Sequence, residues 1–310
     1  MFRSAHLIMQ KAVSQAPSLY GLLYLMTRDT DKSSSSRPFV MAKPGSLRQA
    51  RKTREQELPM AGVEALLLAD LFGTKPRNAA DITREDFIQE FGLCDWLHLG
   101  THGSLDLDAP FHSSLSLKER LRVIDLLAVQ STVKVVVFSA CLSGLGKATD
   151  RGDIVGFSHA VLAAGANAYI GALWHSNDLS TLVHMLFFYK ELVHHEGRAS
   201  IATAWHRATL ALFSLKQEKN EGIVSVIDDF VTCWDRVEAE GLEPGKFVRN
   251  GRRKLEDLKH EILSSGHEID FKHPFFWAPF ITMGNAGQYY MGQEGGKVNR
   301  NGGTERATKS

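Results

Sequence analysis

The sequence predicts an α/β fold: a mostly parallel sheet flanked by helices, with a helical insertion. Three observations carry this. Short β-branched and aromatic runs alternate with apolar-periodic helical stretches between residues 37 and 215. One run, Lys134 to Ala140 (KVVVFSA), is uninterrupted, as in a strand covered on both faces. The chain has 310 residues, 44% apolar and 23% charged, which is enough to bury a sizeable core.

The elements follow in order. Arg37 to Ala42 reads as a short strand that stops at Lys43-Pro44-Gly45. After a polar loop, Pro59 to Phe72 has helical spacing and stops at Gly73. Thr83 to Phe91 opens with Thr-x-x-Asp, a capping box, and reads as a helix. Asp95 to Gly100 is a strand, and Ile124 to Val129 a helix end. After the Lys134 strand come a helix from Ile154 to Ala164, a strand from Ala168 to Trp174, and helices from Leu179 to His195 and Ser200 to Leu215. Residues 216–272 are rich in charge, with helical stretches at Ile223 to Ala239 and Arg252 to Ile262; they read as an insertion. His273 to Gly284 returns to a strand pattern. The expected organisation is a partly ordered N-terminal segment (1–36), one domain (37–284, with 216–272 inserted) and a disordered tail (285–310).

Composition excludes several classes. Lys plus Arg is 36 and Asp plus Glu 35, a formal net charge of +1, so no basic excess points to nucleic acid. Apolar runs fall far short of the roughly 20 residues that span a bilayer, so no membrane partner is expected. Cys94, Cys141 and Cys233 are too few and too scattered for a disulfide framework or a cysteine zinc site. Reduced thiols suit a cytoplasmic location. The first 28 residues hold Arg3, Lys11 and Arg28 and no acid, a transit-peptide-like composition that keeps a mitochondrial location as the alternative.

Two strand ends stand out: Trp96-Leu97-His98-Leu99-Gly100-Thr101-His102-Gly103, and Val135 through Ser139-Ala140-Cys141-Leu142-Ser143-Gly144. In an open parallel sheet, ligands bind beyond the carboxyl ends of the strands. A thiol with an imidazole is the minimum equipment for acyl transfer through a covalent intermediate. Glycines at 100, 103, 144 and 146 flank the pair and would let backbone approach a substrate carbonyl. The N–H groups of Gly103 and Cys141 are candidate oxyanion donors. The plain alternative also fits the spacing: a small core cysteine and a merely hydrogen-bonded histidine.

These blocks resemble the CHAT domain, a caspase-like cysteine peptidase family related to separases, caspases and legumains. The resemblance extends to Gly152-Asp153-Ile154-Val155-Gly156-Phe157, Ala163-Ala164-Gly165-Ala166, Leu173-Trp174-His175-Ser176-Asn177-Asp178 and His273 to Phe280. Upstream, Leu58 to Glu64 and Ile124 to Leu127 also fit. It implies a caspase-like sheet, hydrolysis of peptide bonds in a protein or peptide substrate, and no metal or organic cofactor. It makes His102 the general acid/base and Cys141 the nucleophile. Relatives often carry repeat domains that sense a partner and act in regulated proteolysis or cell-death-like responses. No repeat array is present here, so the sensing half is missing or belongs to another polypeptide, a separate regulatory protein. The insertion and Leu142, where relatives frequently have polar residues, are departures. The alternative reading is a catalytically silent binding module.

Other residues have duller readings beside their functional ones. Asp153 and Asp178 could select a basic side chain by charge, or cap helices near Ile154 and Leu179. Trp174 could wall a pocket or pack the core. His98 reads as a buried, hydrogen-bonded residue, and Arg249 to Lys254 as a solvated face. Gly144-Leu145-Gly146-Lys147 fails as a phosphate loop, since Cys141 and Ala148 stand where Gly and Ser or Thr are needed.

Overall fold

The computed structural model describes residues 10–16, 18–27, 37–44, 58–148, 154–194, 199–216, 218–239 and 251–287. The chain runs through α1 (Leu19–Thr27), β1 (Pro38–Ala42), α2 (Pro59–Leu71), β2 (Arg77–Asn78), α3 (Arg84–Leu93) and β3 (Trp96–Gly100). A small meander follows: β4 (Gly103–Ser104), β5 (Ser114–Ser116) and β6 (Arg120–Arg122). Then come α4 (Val123–Leu127), β7 (Val135–Ser139), the ribbon β8 (Gly146–Ala148) and β9 (Ile154–Gly156), α5 (Phe157–Ala163) and β10 (Ala168–Ala172). Next are α6 (Asp178–His194), α7 (Ile201–Phe213), α8 (Glu221–Ala239), α9 (Gly251–Ser264), the single turn α10 (Pro274–Trp277) and β11 (Phe280–Gly284).

Six strands form the central sheet in the order β11-β10-β7-β3-β1-β2. All neighbours are parallel except β10 and β11. The expected mostly parallel sheet between helices is therefore what the chain forms. Alternation assigns the faces. Val40, Trp96, Val135, Val137 and Ile170 face one core with α2, α6 and α7, while Phe39, Leu97, Val136, Phe138 and Tyr169 face the other with α3 and α5. Both faces are covered, which is why the Val135–Ser139 run has no polar alternation.

The capping box at Thr83 forms as read. Its hydroxyl accepts the Asp86 N–H at 3.1 Å, and the Asp86 carboxylate accepts the Thr83 N–H at 3.1 Å. The α8 and α9 pair falls within residues 216–272, and Ile223, Ile227, Phe230, Trp234, Leu255 and Ile262 join the same core as α2 and α6. Asp70 of α2 and Arg236 of α8 form an ion pair, and Arg252 Nε bonds Asp235 at 2.7 Å. On the outer edge of the sheet, Gln15 N–H donates to the Thr282 carbonyl and Gly284 N–H to the Gln15 carbonyl, both at 2.8 Å. Ala286 is buried and its carbonyl accepts the Ala202 N–H, so packing continues past residue 284. Residues 288–310 of the expected tail lie outside the described residues.

Four expectations are corrected. The helix expected from Ile154 begins at Phe157, because Ile154–Gly156 pairs antiparallel with Gly146–Ala148. Gly156, not Asp153, takes the N-cap position, and Asp153 lies outside the described residues. The strand expected to reach Trp174 ends at Ala172, since Leu173 N–H turns to the Pro279 carbonyl. The strand expected from His273 opens instead as the α10 turn, where Pro274 sits at the first helical position and His273 Nδ1 accepts the Phe275 N–H.

Candidate active site

The register of β3 on β7 pairs Gly100 with Ser139. His102 and Cys141 each lie two residues beyond that pair, on adjacent parallel strands whose spacing is about 4.8 Å. The two residues therefore leave the sheet side by side, at its carboxyl edge. The turn holding them is tight. A Cβ on Gly103 would stand 2.3 Å from the Cys141 carbonyl oxygen, so only glycine lets the histidine segment lie against the cysteine segment. Ser116 N–H donates to the His102 carbonyl at 3.0 Å, and Thr101 Oγ1 donates to the Ser116 carbonyl at 2.6 Å. The meander thus fixes both residues around the imidazole. Gly103 opposes Leu115 as a non-hydrogen-bonded pair, so its N–H points away from β5 along the open edge of the meander.

Beyond Cys141 the backbone turns sharply. Leu142 has φ 62°, in the left-handed region a branched side chain rarely adopts. That conformation costs on the order of 1–3 kcal/mol and persists only where surroundings over-determine it. Here they do. Ser143 Oγ donates to the Phe138 carbonyl at 2.9 Å and accepts the Ala172 N–H at 3.1 Å. Tyr169 hydroxyl donates to the Ser143 carbonyl at 2.7 Å, and Gly144 N–H donates to the Ala172 carbonyl at 2.7 Å. A Cβ on Gly144 would stand 2.7 Å from the Gly171 carbonyl oxygen. Gly103 and Gly144 thus serve close packing within the chain. Ser143 and Tyr169 were not recognisable as site residues. Ser143 sat inside a family block, and Tyr169 inside an ordinary strand.

The three thiols are free and differ in setting. Burial pushes Cys94 up to about 12. Burial, followed by the Asp70 carboxylate, pushes Cys233 up to about 11. Cys141 is half-buried, and burial raises its thiol too; Asp178 raises it further, while the N–H groups of Ser176 and of Cys141 itself pull it down. At rest the site holds a thiol rather than a thiolate.

Trp174 and Asp178 follow β10 at the same edge, both partly exposed. Asp178 opens α6, and its carboxylate accepts the Met60 N–H at the start of α2 at 3.2 Å. Burial raises its carboxyl to about 7; the Met60 N–H and Lys254 oppose this, and Glu64 adds to it. His98 is 2% exposed, with Nε2 2.7 Å from Glu64 Oε1 and Nδ1 3.0 Å from the Tyr189 hydroxyl.

No helix among the described residues is long and apolar enough to cross a membrane. No curated protein sequence matches the chain. Among the solved structures that match, two are similar at TM-score 0.43. One is the Arg-specific cysteine proteinase gingipain R, 12% identical, over 85% of this chain and 49% of that one. The other is the complex of pro- and mature domains of RgpB from Porphyromonas gingivalis, 11% identical, over 85% and 50%. The chain spans about half the length of each. The CHAT domain profile matches residues 3–285, nearly the whole chain, so the protein belongs to the CHAT domain family.

Proposed function

We propose that the chain is a cysteine endopeptidase whose nucleophile is Cys141 and whose general acid/base is His102. The observation that carries this is the Gly100–Ser139 pairing, with Gly103 seated against the Cys141 carbonyl. A bound peptide would displace water and bring the scissile carbonyl to the sulfur. His102 takes the thiol proton as the sulfur–carbon bond forms, then gives it to the leaving amine as the carbon–nitrogen bond breaks. Water, deprotonated by the same imidazole, releases the acid and restores the thiol. The N–H groups of Gly103 and Cys141 are the proposed donors to the oxyanion.

Trp174 and Asp178 are proposed to line the pocket for the residue before the cut, with the carboxylate favouring Lys or Arg. A separate protein acting on the α8–α9 pair is the proposed regulator, because that pair packs on the helix whose N-terminus holds Asp178. A peptide-library cleavage profile with wild type and Cys141→Ala tests the reading. Cleavage is expected after basic residues and is expected to vanish in the variant. A variant that still cut would remove Cys141 as nucleophile. An acylating peptide probe is expected to label Cys141 well ahead of Cys94 and Cys233.

A further inference from the structure

The segment that carries the imidazole hangs on a strand outside the central sheet. Ser116 of β5 accepts the Thr101 hydroxyl at its carbonyl and donates its N–H to the His102 carbonyl. Among the described residues, β5 pairs with β4 and β6 alone, strands of two and three residues in a sheet apart from the central one. Its grip on His102 can be no firmer than its own attachment to the body of the protein. Burial of Leu115 and Leu117 gives an apolar hold, which has no direction. Lys43 gives a directional one at the residue bonded to His102. Its ammonium donates to Ser116 Oγ at 2.6 Å and to the Leu117 carbonyl at 3.1 Å.

The sequence explains how a lysine comes to stand there. Lys43 follows β1 directly and precedes Pro44, and a residue before proline is held extended. Its N–H therefore continues the β1–β3 ladder and donates to the Gly100 carbonyl at 2.8 Å. Backbone and side chain of one residue thus grip both sides of the imidazole segment. Gly100 lies two residues before His102, and Ser116 bonds His102 itself. A closed ring runs from the Lys43 N–H through Gly100, Thr101, His102 and Ser116, and back along the lysine side chain. A long flexible stem ending in several donors and no acceptor suits that span, since both partners are oxygens that accept.

We propose that Lys43 is a positioning residue for His102, acting through Ser116 and Leu117. It fixes β5 against the end of β1 and so keeps the imidazole within reach of the Cys141 sulfur. Without its donors β5 keeps its apolar packing but loses its register against β1, and the His102 carbonyl moves with it. This rests on the proposed reading of His102 and Cys141 as a working pair, and it adds what holds that pair together.

Two measurements on the full chain test it, with circular dichroism giving the folded fraction of each variant. The first is kcat and KM for a peptide taken from the library profile. Lys43→Met keeps the stem and removes the donors. It should lower kcat by about tenfold or more per folded molecule and leave KM within about twofold, as displacement of a catalytic group does. Lys43→Arg should restore most of that loss. Ser116→Ala should lose part of the rate, and the double variant should be no slower than Lys43→Met alone. An unchanged kcat in Lys43→Met, a loss that appears in KM instead, no relief in Lys43→Arg, or losses that multiply in the double variant each overturn the proposal. The second measurement needs no cleavage: the rate of iodoacetamide alkylation of Cys141 near neutral pH, read by peptide-resolved mass spectrometry. His102→Ala and Lys43→Met should both slow it, and Lys43→Met added to His102→Ala should change it by less than about twofold. A Lys43→Met effect that survives without the imidazole overturns the proposal. The expected alkylation pattern with no peptide cut upholds it while sinking the peptidase reading. Cleavage that needs His102 but is indifferent to Lys43 does the reverse.

Discussion

Gly103 carries the tightest approach at the site, since a side chain there meets backbone rather than a movable group. Gly103→Ala should push the imidazole segment away from Cys141. Misplacement by about 1 Å costs about a hundredfold in rate, so cleavage by the folded protein should fall by that order, and the overpacking should also lower stability by about 1–3 kcal/mol. A folded variant that cuts at the wild-type rate would count against a positional cause. Gly144→Ala should destabilise by about 1–3 kcal/mol, because it overpacks onto the β10 backbone. His184 offers a pH prediction. It is fully buried, with Nε2 3.0 Å from Thr209 Oγ1, and burial lowers it to about 3. Its folded value lies below the unfolded one, about 6.5, so the folded state is favoured above 6.5 and loses that advantage as pH falls toward 3. Stability against pH should slope less steeply over that window in His184→Gln. At this scale the sequence was legible where a residue's placement is local. His98 reads as buried from its place in a strand, and the positions of His102 and Cys141 just past two strand ends read from the runs before them. Leu142, Ser143 and Glu64 were not legible, because the bonds and charges that define them come from β10, β3 and α6.

At the scale of elements, periodicity was enough for the long helices and the four inner parallel strands. The β4–β6 meander escaped, since strands of two or three residues are too short to show a period. The Ile154 and His273 segments were misread for a related reason. A β-branched pair before a glycine and a Pro-Phe-Phe-Trp run each suit both states until a partner strand or a proline at the first turn decides. Thr83→Ala should cost about 1 kcal/mol, read by chemical denaturation, because both halves of the capping box depend on that hydroxyl or its neighbouring N–H. No change would mean that α3 is held by Phe87 and Phe91 alone. The segment Val13 to Gln15 has a different duty. It covers the free edge of β11, where an uncovered row of N–H and carbonyl groups would pair with another chain.

For the molecule as a whole, the α8–α9 pair is part of the main core. Trp234 of α8 lies in the same apolar cluster as Trp96 and Trp205, and its Nε1 also bonds Glu238 at 2.8 Å. Charge made residues 216–272 read as an insertion, yet Ile223, Ile227, Phe230, Trp234 and Val237 of α8 are buried at every third or fourth position. Thermal unfolding should accordingly be one transition, with Trp234 fluorescence and far-ultraviolet dichroism coinciding. A separate, earlier loss of the Trp234 signal would show the α8–α9 pair to be an independent module.

The turn around Cys141 is fastened chiefly to a strand that the ribosome makes later. A nascent chain that has emerged only as far as α5 already carries both reactive side chains but none of the Tyr169 and Ala172 anchors. On the proposed reading such a chain cannot cut, and the translation machinery around it is spared. A stalled intermediate of that length should therefore fail to react with a peptide probe that the released protein accepts.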